Sequence, residues 1–186
     1  MLIWKQIEQK KIQENISHVN KLRSEIDNHI GIIINDDVDK KSNSNVVEID
    51  GVKYHPHING GGLVAETARV DDTVFVGVNA RVYDNAKISG NAMAYGNAKI
   101  SGNAEVSDNA LVGGNAKVSG NAKVYGDAKV YGDAKVYGDA KVYGDAMVYG
   151  YAKVYGDAIV YGNVKVYGNA KVYGYVEIFG NKNIDM

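Results

Sequence analysis

Apolar residues recur every sixth position over two thirds of this chain. From Val64 to Ile178 each sixth residue is Val or Ile, with Ala94 the sole exception among twenty positions. Two residues before each, from Ala68 to Val176, stands Ala, or Val at 74, 164 and 176. Residues 120–179 are close to one hexad repeated, as in Ala128-Lys129-Val130-Tyr131-Gly132-Asp133. Residues two apart on an extended strand share a face, so Ala and Val point one way and Lys and Tyr the other. Gly followed by Asp or Asn supplies the bend, because these residues accept positive φ at least cost. A strict period sustained this long predicts a solenoid whose repeats bury their apolar faces against one another.

The motif of an aliphatic residue followed four positions later by a small one, as in Val124…Ala128, resembles the hexapeptide repeat of left-handed parallel β-helices. The resemblance covers residues 62–179 and implies an all-β solenoid, triangular in section, with three hexads per coil and a left-handed wind. At about 4.8 Å per stacked strand, such a prism stands about 30 Å tall. The chain divides into an amphipathic or coiled-coil helix at 1–34, a linker and short hairpin at 35–61, the repeat region at 62–180 and a tail at 181–186. In the helix, Ile12, Val19 and Ile26 are spaced by seven, and Ile16 occupies the alternating seam position. Isoleucine at both seam positions favours trimers, while a helix capping the open base of the prism is the alternative. Val46–Tyr54 reads as a hairpin turning at Asp50-Gly51. Identical hexads could slip by one repeat at little cost, so the irregular first hexads are expected to set the register. Lys182, at an inward small position, is expected to discourage end-to-end stacking.

With 18 residues per coil the outward positions form vertical columns. One face carries Arg81, Lys99, Lys117, Lys135, Lys153 and Lys171 beside Tyr83, Ser101, Ser119, Tyr137, Tyr155 and Tyr173. This basic ladder raises a polyanion or nucleic-acid reading, in which lysines hold phosphates and tyrosines stack on bases. The near-zero net charge of −1, and Asp139 and Asp157 at the adjoining corner, weigh against it. A second face aligns Phe75, Met93, Leu111 and Met147, beside Tyr131 and Tyr149, with Gly77 and Gly113 leaving room for another backbone. An apolar column on a prism marks an interface, so a homo-oligomer, a trimer by preference, is expected to meet here. The third face mixes Arg69, Lys87, Glu105, Lys123, Lys141, Ile159 and Glu177.

The absence of cysteine excludes disulfides, and no apolar run marks a signal peptide or a span. A cytoplasmic (host-cell) or virion location is expected. Hexapeptide-repeat proteins are best known as acyltransferases, which use a histidine near a coil boundary and an extended loop. Carbonic anhydrases of the same fold need three histidines about a metal. Here His18, His29, His55 and His57 all precede the coils, and no insertion breaks the hexads. His55-Pro56-His57 is too sparse for a metal set and reads as a lead into the first coil. The expectation is therefore a chain that is not an enzyme and needs no cofactor or metal. It would act as a scaffold or protein-binding module, as a structural component or an inhibitor of a host protein. The repeat style resembles proteins of bacteriophages and mobile elements. The alternative is a degenerate acyltransferase homologue that binds a nucleotide or coenzyme A between subunits.

Overall fold

The computed structural model describes residues 46–185. The expected N-terminal helix, with Ile12, Ile16, Val19 and Ile26, lies outside the described residues, and no helix occurs among them. The described chain is an all-β parallel solenoid with three sheets. Sheet 1 runs through the rungs Arg81–Val82, Lys99–Ile100, Lys117–Val118, Lys135–Val136, Lys153–Tyr155 and Lys171–Tyr173. Sheet 2 begins at Phe75–Val76 and sheet 3 at Arg69–Val70, and each has seven strands. Pairing joins residue i to i+18 throughout, as in Val118↔Val136 and Leu111↔Lys129. The coil therefore holds three hexads.

The inward Ala and Val positions form the core. From Val74 to Val172 every inward aliphatic or small side chain is buried, and Val130 and Val136 are 0% exposed. Val70, in the first coil, is only half-buried, because no complete coil lies above it. Lys129 is exposed beside buried Val130, which sets the register expected from the pattern. Most corner glycines have positive φ, and a Cβ on Gly102 would lie 2.9 Å from the backbone of Gly120 one coil below. Where Asp84 and Asp108 replace that glycine, they keep φ of 58° and 60°. Each carboxylate accepts a bond at 2.9 Å from the glycine N–H one coil on, Gly102 and Gly126 respectively. That local bond helps an aspartate hold a left-handed conformation.

The upper end is closed by non-repetitive chain. Strands β1 (Val47–Ile49) and β2 (Val52–Pro56) form a hairpin through Asp50 and Gly51, with φ of 52° and 77°. Positive φ at both central residues matches the twist of the hairpin. β2 pairs antiparallel with β3 (Leu63–Ala65), and β3 opens the parallel stack by pairing with Arg81–Val82. The loop from His57 to Gly62 then crosses the edge of sheet 2. There Val76 donates to Asn59 O and accepts from Gly62 N. The glycines are needed for this approach, since a Cβ on Gly62 would collide with Val76 and Gly77. Register is thus anchored at the irregular end.

At the other end the coil continues into the stretch expected as a tail. Asn183–Ile184 pairs with Lys165–Val166, and Ile184 packs against the core. Lys182 does not point inward. Its backbone carbonyl accepts from Lys165 N at 2.8 Å, and its exposed ammonium sits 5.3 Å from the Phe179 ring centre.

Candidate functional site

The sheets bring the basic ladder together as a true column. Arg81 pairs in register with Lys99, Lys99 with Lys117, Lys117 with Lys135, Lys135 with Lys153, and Lys153 with Lys171. Among the described residues the ion pairs lie elsewhere, on sheet 3. There Lys123 and Lys87 reach the Glu105 carboxylate at 2.7 and 3.6 Å. The hydrogen bond from Lys123 is the main cause that lowers the Glu105 carboxyl below its ordinary range and raises Lys123. A shallow groove of about 700 Å³ runs beside four rungs of the column, bounded by Lys117, Lys135, Lys153 and Lys171. Asn115, Asp133, Tyr151 and Asn169 form its corner side.

Most of the tyrosines past the rungs do not stand singly in solvent, as their outward positions led one to expect, but stack on one another. Tyr125, Tyr143, Tyr161 and Phe179 stack on one another at 4.7–5.4 Å. Tyr131, Tyr149 and Tyr167 form a second stack at 5.0 and 5.2 Å. Tyr137, Tyr155 and Tyr173 form a third at 4.8 and 5.2 Å. Ring faces are covered by the next ring, so most of these residues are half-buried and show mainly edges. Burial is the first cause that raises the hydroxyl pKa of Tyr125, Tyr131 and Tyr137.

On sheet 2 the apolar column is also in register, Phe75 with Met93, Met93 with Leu111, and Lys129 with Met147. Met93 is exposed, whereas Phe75, Leu111 and Met147 are half-buried. Gly113 does not open the face to a second backbone. The Tyr95 ring lies over Gly113, where a Cβ would collide with it. Gly113 therefore admits a ring from its own chain. Tyr131 and Tyr149, expected at an interface, stack on each other and offer their edges to this face. A groove of about 520 Å³ follows the lower part of the sheet. Leu111 and Met147 supply apolar lining, Lys129 and Lys165 cations, and Asn109, Asp127, Asp145 and Asn163 the polar rim.

His55 and His57 are not a loose lead. His55 pairs with Val64 within the β2–β3 ladder. His57 is 5% exposed, its Nδ1 accepts from the Asn59 N–H at 3.3 Å, and its Nε2 has no hydrogen-bond partner. Among the described residues no group of three His, Asp or Glu is placed to hold a metal.

Sequence reasoning missed Tyr151. Between residues 79 and 169 the corner position before each inward small residue is Asn or Asp, except at 151. That exception was the available signal. Tyr151 stands between Asp133 above and Asn169 below in its column, is 65% exposed, and takes part in none of the ring stacks.

No family model matches the chain, and no curated protein matches it. A solved structure with the same fold is the acetyltransferase domain of PglB from Neisseria gonorrhoeae FA1090, in complex with acetyl coenzyme A. The TM-score is 0.55 and the identity 15%, over 60% of this chain and 54% of that one. This overturns the expectation that an uninterrupted repeat marks a chain that is not an enzyme, because a domain of the same fold is an acetyltransferase. The described residues form a left-handed parallel β-helix with three hexads to the coil.

Proposed function

We propose that this solenoid is an acyltransferase-type β-helix that holds a coenzyme A-like thioester or a nucleotide along sheet 2, between subunits of a homo-oligomer, a trimer by preference. The observation that carries this reading is the composition of the sheet 2 groove. Along this channel the apolar Leu111 and Met147 alternate with the Lys129 and Lys165 ammoniums, rung by rung. A ligand with a thin aliphatic arm and a phosphorylated end needs that pairing. Apolar contact favours the arm, and cations favour the phosphates. The groove is shallow, and a second subunit laid on the same face would deepen it while covering Met93 and the Tyr95 edge.

Acyl transfer from a thioester further needs a group to take the proton of the attacking hydroxyl or amine. Within the groove the groups able to do so are the carboxylates of Asp127 and Asp145, one coil apart. They also lie close enough to the lysines to weaken phosphate binding, so affinity is expected to be micromolar or weaker.

Calorimetric titration with acetyl coenzyme A, paired with a thiol-release assay over a panel of amine and sugar acceptors, tests the reading. Binding that Lys129→Glu plus Lys165→Glu weakens by at least tenfold supports the groove. Turnover lost in Asp127→Asn or Asp145→Asn assigns the base. Wild-type protein that neither binds nor turns over acetyl coenzyme A overturns the reading and leaves the face to another protein partner. Light scattering on wild type and Leu111→Glu reports whether sheet 2 is the subunit contact.

A further inference from the structure

We infer that sheet 1 is a binding surface for single-stranded nucleic acid, independent of the groove on sheet 2. Six cations stand in one column, at steps of about 4.8 Å, with no carboxylate among the described residues in ion-pair contact with them. The net charge of −1 hides this, because the acidic residues lie before residue 46, in the hairpin, at the corners and at Glu105 and Glu177 of sheet 3, and none stands in the column itself. A ligand running up the prism meets a continuous line of cations, with Asp133 on the groove's corner side and Asp139 and Asp157 at the adjoining corner.

The column alone would suit any linear polyanion. Tyr151 narrows the ligand class. It interrupts a corner column that otherwise holds Asn and Asp, at the groove edge next to Lys135 and Lys153. Of the other tyrosines beside sheet 1, Tyr137, Tyr155 and Tyr173 stack on one another, and Tyr83 is half-buried at the upper end. Tyr151 has no stacking partner and is 65% exposed, so its face is free for a planar base. Asn169 along the same edge offers an amide donor and acceptor to a base edge, whereas the Asn115 amide is held between Asn97 and Asp133. A cation track with one aromatic platform suits a single strand. With a single platform, phosphate contacts dominate and sequence preference is weak. A duplex hides its base faces and gains nothing from Tyr151.

The test is fluorescence anisotropy of the full chain with a labelled ten-nucleotide oligothymidylate across a salt series. Four to six phosphate contacts predict a slope of log K against log salt of about −3 to −4. Lys135→Glu plus Lys153→Glu is expected to weaken binding at least thirtyfold and flatten the slope. The charge-matched control, Arg69→Glu plus Lys141→Glu on exposed positions of sheet 3, is expected to bind like wild type. Tyr151→Ala is expected to lose about tenfold with the slope unchanged, the loss of one stacked base. Three outcomes overturn the inference. One is no binding at low salt, and another is equal loss in the sheet 1 and sheet 3 variants. The third is stronger binding of inorganic polyphosphate with Tyr151→Ala silent, which would make sheet 1 a general polyanion surface. Circular dichroism on each variant confirms that the fold is kept, and the sheet 2 variants serve as a further control.

Discussion

The upper and lower halves of the solenoid share one core but tie their rungs together differently. In the upper coils the corner position before each inward small residue from Asn85 to Asn121 is asparagine, and each side-chain amide there donates to the carbonyl or carboxylate one coil on. One such ladder runs Asn85, Asn103, Asn121 and Asp139, closing from 3.5 Å to 2.9 Å. It ends at the first aspartate, because a carboxylate accepts but cannot donate. The outward position past each upper rung holds mostly Ser or Gly, as at Ser101, Ser107, Gly113 and Ser119. In the lower coils the corners turn to aspartate, and the same outward position becomes a stacked tyrosine. Hydrogen-bond ladders give way to aromatic ones where the corners lose their donors. A periodic core thus tolerates two surface solutions, provided each repeats every 18 residues.

The largest expected effect ignores the difference between halves. Val136→Asp places a carboxylate in a rung that is 0% exposed and has no polar partner. Loss of more than about 4 kcal/mol is expected, seen as a collapse of the thermal transition. Val82→Asp in the upper half should behave alike. A tolerated charge in either half would break the shared-core picture.

Next comes the aromatic ladder. Tyr149 is sandwiched between Tyr131 and Tyr167, so Tyr149→Ala removes two stacking contacts and half-buried ring area. The expected cost is about 2–3 kcal/mol by denaturant unfolding, against less than about 0.5 kcal/mol for Ser119→Ala. Equal costs would mean that the stacks follow from the coil rather than support it.

A gain is expected from extending the upper solution downward. Asp139→Asn restores a donor next to Asp157, one coil below, and removes one of two stacked carboxylates. Stability should rise by about 0.5–1 kcal/mol in the same unfolding assay. Unchanged stability would show that the corner ladders are decorative.

The smallest effect is a pH response. Burial raises the hydroxyl pKa of Tyr125, Tyr131 and Tyr137 above the ordinary tyrosine value. A group whose pKa is raised by folding contributes stability below its unfolded pKa and loses it as pH rises through the folded one. Melting temperature should therefore fall modestly above about pH 10, with phenolate absorbance growing over the same range. The acid side carries the opposite sign. Glu105, lowered chiefly by its bond from Lys123, contributes above the usual carboxylate range and is lost below it. Both groups are largely solvated, so neither shift is large in free energy.

The six-residue period by itself determined the inward Ala and Val and the stacking of repeats, while the three-hexad coil, and with it the three sheets and the alignment of Arg81 through Lys171, followed from the resemblance to hexapeptide-repeat β-helices. Each of these depends on position alone, since a residue and its i+18 neighbour must meet once three hexads close a coil. Exposure was not legible in the same way. Whether Tyr149 shows a face or an edge depends on the rings above and below it. Whether Gly113 is an opening depends on where Tyr95 lies. Tyr151 could be read as an off-pattern residue, but its free ring beside Lys135 and Lys153 emerged only when the coils stacked. The loop from His57 to Gly62 has no period at all. Its path over sheet 2 was decided by the unpaired backbone groups of Val76, which only the tertiary structure brings within its reach.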